Sequence, residues 1–304
     1  MEYRHPPALS QKFGEFVLHL KAADRASSTI ACYIRSLEWL AEMLEGMSLE
    51  DISVGDIEKV VIALQDSSKT GSRRSAATMN RIKSAFKSFF QWVFQSGIIS
   101  HNPVVNLRIS KAASQRTIPI TMEEINTLLN TISESDVPYA KRDEALFAIY
   151  AFTGIRCAEA LALRIKDYDQ SSLTLYLPKL KGGSDRLQPI PHRLSRILER
   201  WISILRRNDQ ADLSSLLFHG RHPKRPLTTR QVRFRFNRWK GLSGIREDLT
   251  VHSFRAGFAT QLYRATGDFL LVHHAIGHSC VRTTMRYIGN HLFEIRKAIE
   301  KGFC

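Results

Sequence analysis

The sequence lacks the features that identify several common classes of protein, namely clustered cysteines, long apolar runs and a nucleotide-binding loop. Its four cysteines, Cys32, Cys157, Cys280 and Cys304, are far apart and lack metal-ligand spacing, which indicates reduced thiols in a cytosolic protein. No apolar run reaches membrane-spanning length. The Gly-x-x-x-x-Gly-Lys-[Ser/Thr] loop that cradles nucleotide phosphates is also missing. These absences disfavour disulfide-rich, zinc-binding, membrane-spanning and ATP-driven classes.

Negative charge is missing from one long interval. No Asp or Glu occurs between Asp66 and Glu123. The same interval contains Lys69, Arg73, Arg74, Arg81, Lys83, Lys87, Arg108, Lys111 and Arg116. The net charge of the chain is +15, of which residues 1–112 supply +3 and residues 113–304 supply +12. A basic surface also aids solubility, but an acid-free stretch of this length indicates contact with a polyanion, most commonly nucleic acid.

The first third of the chain has helical periodicity. Apolar residues recur at helical spacing over 9–22, 29–45, 54–65 and 75–96, with Ser or Thr before the later segments as candidate N-caps. Gly97 and the His101-Asn-Pro103 sequence end the pattern. We predict a helical bundle over 1–108, a basic linker over 109–118 and a second domain over 119–304.

The second domain is predicted to mix helices with a small sheet. Thr121 and Glu124 have the spacing of a capping box, and helices are predicted near 121–132, 138–152, 156–163, 192–207 and 228–239. Two strands, 173–177 and 186–190, flank a glycine-containing segment that favours an antiparallel hairpin. The fold class predicted for the chain is therefore mainly α, with a bundle followed by a mixed α/β domain.

The helix over 228–239 carries a concentration of arginine. Arg230, Arg233, Arg235 and Arg238 alternate with Val232, Phe234, Phe236 and Trp239. One interpretation is an ordinary amphipathic helix with a basic outer face. The excess of arginine favours the other interpretation, in which this face follows a DNA backbone or enters a groove.

A set of polar residues near the end of the chain can support phosphate chemistry. His252 and Arg255 are three residues apart, so they share one face of a helix, while Phe254 and Phe258 would be buried. His278 follows a helix that ends at Gly277, and Tyr287 lies nine residues later. A tyrosine is a competent nucleophile when cations hold the charge of its electrophile. Each residue taken alone has an ordinary structural interpretation.

The order of these residues, together with two upstream motifs, resembles the tyrosine recombinase family, also called the phage integrase family, in its Xer-like branch. The matching text is Thr-Gly-Ile-Arg156-x-x-Glu159-Ala, then Lys181-Gly-Gly-Ser-Asp-Arg186-Leu-x-Pro-Ile, then His252-Ser-Phe-Arg255 and finally Ile-Gly-His278 with Tyr287. Six elements occur in the order and with the spacing of the family, which makes the resemblance specific. It extends over nearly the whole chain.

The resemblance implies a helical core-binding domain and a C-terminal catalytic domain that clamp duplex DNA. Tyr287 would attack the scissile phosphate and form a 3′-phosphotyrosyl link. Arg156 and Arg255 would bind the non-bridging oxygens, and Lys181 would be the general acid for the 5′-oxygen. His252 would act as an acid or base, and His278 would donate a hydrogen bond. Glu159 would be structural.

The resemblance also sets expectations for partners. No metal or other cofactor is expected, since cations of the chain itself would hold the phosphate. The partners would be a specific duplex DNA site and copies of the chain, two per site and four at synapsis, with accessory proteins left open. DNA contacts are expected from Arg73, Arg74, Arg81, Lys83, Lys87, Arg230 and Arg233.

Some alternatives stay open at this point. Ser184-Asp185 stands where relatives often carry Lys-Glu, and Lys179 competes with Lys181 for the general-acid role. A type IB topoisomerase-like nicking-closing enzyme would use similar chemistry as a monomer. A DNA-binding protein that has lost catalysis would keep the fold alone. A terminal helix over 291–299 is expected to exchange between protomers.

Overall fold

The computed structural model describes residues 8–66, 73–110, 117–178, 185–208 and 210–277. Lys181, His278, Tyr287 and the expected terminal helix over 291–299 lie outside these ranges. The chain divides into two compact units, Met1–Ser114 and Gln115–Cys304. The assignment of a linker to 109–118 stays a prediction.

The first unit is a bundle of helices. Its elements are α1 (Ala8–Gln11), α2 (Phe13–Ala22), α3 (Ser27–Met43), α4 (Val54–Asp66) and α5 (Ala76–Gln95). The apolar stripe of α5 is buried, as its periodicity predicted, and Phe89 meets Phe16 of α2 edge-to-face with ring centroids 5.3 Å apart. The first predicted helix is interrupted at Lys12, and α3 begins after Ala26 without the expected Ser or Thr side-chain cap.

The chain that leaves the bundle is fastened along α5. Asn80 exchanges two hydrogen bonds with the backbone of Ser110, at 2.7 and 3.0 Å. The ammonium groups of Lys83 and Lys87 donate to the carbonyls of Arg108 and Leu107, each at 3.2 Å. The three side chains lie along one side of α5, since their spacing is close to one and two helical turns. This contact fixes the path of residues 107–110.

The second unit places helices around a small sheet. Its helices are α6 (Met122–Ser133), α7 (Ala140–Thr153), α8 (Cys157–Ala162), α9 (His192–Asn208), α10 (Thr229–Ser243), α11 (Val251–Thr266) and α12 (Phe269–Ile276). The strands are β1 (Tyr168–Asp169), β2 (Thr174–Leu177) and β3 (Arg186–Pro189), in the antiparallel order β1-β2-β3. In register, Leu177 lies opposite Arg186. The predicted fold class, mainly α with a small antiparallel sheet, is confirmed.

Helix α7 is the centre of this unit. It is buried on nearly every side, and its Phe147 and Tyr150 pack against Phe254 of α11 with ring centroids 5.9 and 6.1 Å apart. Phe236 of α10 completes the cluster, 5.4 Å from Phe254. A close-packed aromatic cluster resists shifts of its members, so α11 and α10 are fixed relative to α7. No helix in the described ranges is long and apolar enough to cross a membrane.

The segment that enters the second unit packs directly on α11. Ile120 donates its backbone N–H to the carbonyl of Ser253 at 3.2 Å. A Cβ atom built on Gly257, one turn further along α11, would lie 2.5 Å from the carbonyl oxygen of Ile120. Arg246 holds the same segment through Glu124, at 2.6 Å, and through the carbonyl of Pro119. Gly257 is therefore required by a close approach between two backbones.

We expect Gly257→Ala to lower the free energy of unfolding by about 1–3 kcal/mol, because the new methyl group forces the 119–121 segment away from α11. Urea unfolding monitored by circular dichroism measures the change. Gly241→Ala is the matched control, since a Cβ at this position in α10 meets no atom within 4 Å. It should leave stability unchanged or raise it by up to about 1 kcal/mol. Equal midpoints for the two variants would contradict the packing described.

Candidate active site

Arg156 stands at the start of α8, where the backbone turns sharply. The preceding turn contains Gly154 with φ of +61°, and a Cβ there would lie 2.5 Å from the ring of Phe258. Glycine is needed at this position both for the conformation and for the close contact. The sequence predicted Arg156 in the first turn of the helix, and the structure places it one residue earlier, at the N-cap.

The Arg156 side chain is anchored and still accessible. Its Nη1 donates to Oε1 of Glu159 at 3.1 Å, and its Nη2 donates to the carbonyl of Gly277 at 3.0 Å. These bonds use two of the five N–H donors of a guanidinium. The side chain is 43% exposed. Arg156 is therefore held in place while part of its donor set is presented to solvent, which suits an anion-binding role.

Arg255 is buried, with only 3% of its surface exposed. Its Nη1 donates to the carbonyl of Gly154 at 2.6 Å, and its Nη2 donates to the carbonyl of Ile276 at 2.7 Å. The sequence pattern placed Arg255 on the face of α11 opposite the apolar residues. Instead, the guanidinium joins the turn before α8 to the end of α12.

The two arginines meet at the same place. Arg156 and Arg255 donate to the carbonyls of consecutive residues, Gly277 and Ile276, at the end of α12. The C-terminus of a helix exposes carbonyls that lack intrahelical partners, and cationic donors satisfy them. Helices α8, α11 and α12 thus converge one residue before His278.

His252 lies close enough to both arginines to feel their charge. Partial desolvation lowers the pKa of His252 below its usual 6.5, and the positive charges of Arg255 and Arg156 lower it further. The imidazole is consequently neutral at pH 7, the form that can accept a proton. Arg156, His252 and Arg255, which are separated by up to 99 residues in sequence, are brought together by the fold.

If His252 accepts the proton of the attacking hydroxyl, DNA cleavage should slow as the pH falls through the pKa of His252. Because that pKa is lowered in the DNA-free protein, the acid limb of the second-order rate constant, which reports the free protein, should lie below pH 6.5. Protonation removes the base, so the rate should fall about tenfold per pH unit on that limb. Single-turnover cleavage between pH 5 and 8 measures this. His252→Gln should lack the limb, and a limb centred above 6.5, or one retained in His252→Gln, would contradict the assignment.

Glu159 and Arg186 form an ion pair beside this convergence, and sequence reasoning gave Arg186 no role. Nη1 and Nη2 of Arg186 donate to Oε1 and Oε2 of Glu159, at 3.2 and 3.4 Å. Burial raises the pKa of Glu159, but hydrogen bonds from the Arg156 backbone N–H and from Arg186, with the charges of both arginines, outweigh burial and lower the pKa below 4.5. Arg186 was visible in the hairpin motif, yet its partner is 27 residues away and only the fold identifies it.

Helix α10 presents a basic face next to α8. Arg230 and Arg233 are exposed, and Phe234, which follows Arg233, is 69% exposed. Burial raises the pKa of the Cys157 thiol, while hydrogen bonding to Tyr150 and the charge of Arg233 oppose this rise. Arg233 therefore lies near the start of α8, and the basic face of α10 borders the region of Arg156.

Arg235 does not belong to that face, contrary to the sequence interpretation. Its guanidinium turns inward to Asp143 of α7, at 2.5 Å, and to the carbonyl of Pro138 at 3.2 Å. Asp143 is fully buried and also accepts hydrogen bonds from Arg142 and from the indole of Trp239, each within 2.8 Å. A buried carboxylate needs such partners, so Arg235 stabilises the packing of α10 on α7.

The cations of the first unit differ in how they are engaged. Arg73 pairs with Asp66 at 3.1 Å in an exposed position, and the guanidinium of Arg74 lies 5.1 Å from the ring centroid of Trp39. Arg81 is exposed, whereas Lys83 and Lys87 donate to the carbonyls of the 107–110 segment. The predicted DNA contacts of all five residues stay predictions.

The described part of the chain does not gather the side chains that a metal ion needs. No group of three or more His, Cys, Asp or Glu residues lies close enough there to hold one. Arg156 and Arg255 at the end of α12 are instead cationic groups that could hold an anionic ligand there.

Two ranges of the sequence, one in each unit, match known protein families. Residues 118–292 match the description "Phage integrase family", and residues 13–97 match "Phage integrase, N-terminal SAM-like domain". Together they span most of both units. The chain belongs to the phage integrase family, as a Xer-like tyrosine recombinase.

Individual proteins agree with this assignment. The chain is 28% identical to tyrosine recombinase XerC of Chromobacterium violaceum over 279 residues, which cover 92% of this chain and 90% of the relative. Its fold resembles XerH recombinase bound to palindromic difH in a post-cleavage complex, with a TM-score of 0.74, 21% identity and coverage of 99% and 97%. It also resembles a lambda integrase tetramer bound to a Holliday junction, with a TM-score of 0.72, 19% identity and coverage of 93% and 78%.

Proposed function

We propose that this protein is a site-specific recombinase that cuts and rejoins duplex DNA through a covalent bond to Tyr287. The observation that carries the proposal is that Arg156 and Arg255 meet at the end of α12, directly before His278, and that His252 lies within reach of their charges. Phosphate-binding donors and a neutral imidazole are thereby gathered at one place. The relatives that share the family are named as tyrosine recombinases, which supports the same chemistry.

The proposed reaction exchanges one phosphodiester for another. The Tyr287 hydroxyl oxygen attacks the scissile phosphorus as His252 takes its proton, and the bond from phosphorus to the 5′-oxygen breaks. Lys181 protonates the departing 5′-oxygen, and the 3′-phosphate stays linked to the tyrosine. The 5′-hydroxyl released from the cleaved strand of the partner duplex then attacks the phosphotyrosyl phosphorus, which reverses these steps and frees the Tyr287 hydroxyl. Because the phosphotyrosyl ester retains the energy of the broken bond, rejoining needs no ATP.

Arg156 and Arg255 would stabilise the charge that grows on the non-bridging oxygens in the transition state. Arg156 has exposed donors for direct contact. Arg255 is more buried, so its contribution would combine a phosphate contact at its accessible edge with the bonds that hold Gly154 and Ile276 in place. Cationic donors fixed before the substrate arrives need no reorganisation during the reaction.

DNA binding by the second unit would use the exposed face of α10. We expect Arg230→Gln with Arg233→Gln to reduce the slope of log affinity against log salt by about two units, because each arginine would neutralise about one phosphate. Fluorescence anisotropy with a labelled duplex of arbitrary sequence measures the slope. Arg206→Gln with Arg207→Gln, exposed at the end of α9, is a control with the same loss of charge. An unchanged slope in the first variant would place α10 away from the DNA.

The assembly on DNA is proposed to contain two protomers per site and four at synapsis. The tetrameric lambda integrase complex on a Holliday junction supports this assembly for the shared fold. Strand exchange between two duplexes requires four cleavage events, which four copies of one active site supply. No accessory protein is assigned to this assembly.

The experiment that tests the function captures the covalent intermediate on a pool of substrates with randomised sequence. The protein is incubated with a library of nicked duplexes that contain a randomised region, and DNA that stays attached under denaturing conditions is sequenced. A recombinase should enrich inverted repeats around a short spacer. Adducts spread evenly over all sequences would indicate a nicking-closing enzyme. The absence of any adduct would indicate a DNA-binding protein that has lost catalysis.

A further inference from the structure

We propose that Arg186 is a positioning residue for the reaction, which it assists by neutralising Glu159 so that the charge of Arg156 stays available to the scissile phosphate. The proposal rests on the proposed function. It assigns to the first residue of β3 a role that acts through Glu159 and Arg156. Four residues of the second unit carry it through their mutual contacts: Arg156, Glu159, Arg186 and Gly277.

These four residues form a closed ring of contacts. Arg156 donates to Glu159 at 3.1 Å and to the carbonyl of Gly277 at 3.0 Å. Arg186 donates to both carboxylate oxygens of Glu159, at 3.2 and 3.4 Å. The ring closes between Arg186 and Gly277, since a Cβ built on Gly277 would lie 2.5 Å from Nη1 of Arg186. Arg186 thus contacts both groups that anchor Arg156.

The charges in this ring explain why two arginines are present. Glu159 carries one negative charge and its side chain is only 9% exposed, so its charge needs compensation. Arg186 is the more buried partner, at 17% exposure, and Arg156 is the more exposed one, at 43%. With both present the cluster carries a net charge of +1, and the excess lies on the side of Arg156. Without Arg186, Arg156 and Glu159 would form a neutral pair.

Removing Arg186 would also turn the Arg156 guanidinium away from the phosphate. Glu159 Oε1 accepts from both arginines, and Oε2 accepts from Arg186 and from the Arg156 backbone N–H at 2.6 Å. Loss of Arg186 leaves lone pairs on a nearly buried carboxylate, and the nearest donors belong to Arg156. The fork of Arg156 would turn toward Glu159 and away from solvent, because a bidentate pair is the strongest arrangement open to it.

The orientation of the Arg186 guanidinium depends on its contacts with Glu159 and Gly277. Its Nε is buried and has no hydrogen-bond partner in the described part of the chain. The guanidinium is therefore oriented by Glu159 and by its fit against Gly277 rather than by Nε. Gly277 ends α12 with φ of +62°, a conformation that glycine adopts readily. Because Gly277 has no side chain, the Arg186 guanidinium occupies the space where a Cβ would lie.

The test compares Arg186→Met with the wild type on two nicked substrates that carry the captured recombination site. One has an ordinary scissile phosphate, and the other has a methylphosphonate, which lacks the negative charge on the non-bridging position. On the phosphate we expect single-turnover cleavage by Arg186→Met to be about a hundredfold slower, with DNA affinity changed by less than about threefold. On the uncharged substrate the defect should shrink to less than about tenfold, because the charge of Arg156 is no longer needed there.

Two further variants separate charge from packing. Arg186→Lys keeps the positive charge and should cleave the phosphate substrate within about tenfold of the wild type. Arg200→Met removes an ion pair to another buried carboxylate, Glu144 at 2.7 Å, and should change cleavage by less than about threefold. If Arg186→Met fails to fold, Arg186→Lys decides: a rate as low as that of Arg156→Met would overturn charge compensation.

The remaining outcomes are distinguishable. Wild-type rates for Arg186→Met, or an equal defect on the two substrates, would overturn the inference and leave the proposed function intact. Full activity of Arg156→Met on the phosphate substrate would instead contradict the assignment of Arg156 within the proposed function. Absence of any adduct from the wild type would contradict the function itself.

Discussion

Tyr287→Phe is expected to abolish the covalent protein–DNA adduct, lowering its rate of formation by at least about a thousandfold. Phenylalanine keeps the ring but removes the hydroxyl oxygen that would attack the phosphorus. The loss of that oxygen alone therefore accounts for the expected effect. The readout is denaturing electrophoresis of a nicked substrate, in which rejoining is prevented and the adduct accumulates. Duplex binding should stay within about threefold of the wild type, because the phosphate-binding cations remain.

Tyr176→Phe is the matched control for this prediction. Tyr176 lies on β2 and is 41% exposed, and no step of the proposed reaction uses it. Its variant should form adducts at the wild-type rate. Persistence of the adduct in Tyr287→Phe would show that another residue is the nucleophile, and equal loss in both variants would show that the assay reports folding.

Arg156→Met is expected to slow cleavage by about a hundredfold to a thousandfold, while binding to the duplex changes little. The expected split arises because Arg156 would contact one phosphate among many in the interface but would stabilise the charge that develops on that phosphate in the transition state. Arg156→Lys should recover only part of the rate, since an ammonium lacks the planar fork that holds two oxygens. Single-turnover rates at saturating protein measure both variants.

Arg246→Met controls for the loss of a partly exposed arginine that pairs with a glutamate. The exposed fractions of Arg246 and Arg156 are nearly equal, at 45% and 43%, and their guanidinium nitrogens lie 2.6 and 3.1 Å from the oxygens of Glu124 and Glu159. Arg246→Met should leave the cleavage rate within about threefold of the wild type. A larger loss than that of Arg156→Met would mean that ion pairing in general, rather than the position of Arg156, limits the reaction.

The parts of the fold predicted well from the sequence are those that depend on local periodicity. The apolar stripe of α5 and the capping box of Thr121 with Glu124 are both found, because spacing along a helix determines them. Strand β1 was missed, since its two residues are too short for any alternation. The start of α3 was also misjudged: a helix over 29–45 with a Ser or Thr cap was predicted, but the helix begins at Ser27 after extended Ala26, which provides no side-chain cap.

Site prediction depended more on the order of motifs than on local pattern. Arg156, His252 and Arg255 were selected together, and the structure brings them together at α12. The burial of Arg255 could not be foreseen, because its partners are carbonyls 101 and 21 residues away. Arg235 was placed on a basic outer face because three other arginines lie on the same helix, yet its guanidinium turns inward to the buried Asp143 of α7. Such pairings are set by tertiary packing, which periodicity does not encode.

The proposed reaction requires the phenolic oxygen of Tyr287 to become bonded to DNA. The most direct test digests the captured adduct with trypsin and nuclease and locates the nucleotide-bearing peptide by mass spectrometry. The nucleotide should be found on Tyr287, within the peptide that spans residues 287–296. A nucleotide attached to any other residue would contradict the proposed reaction.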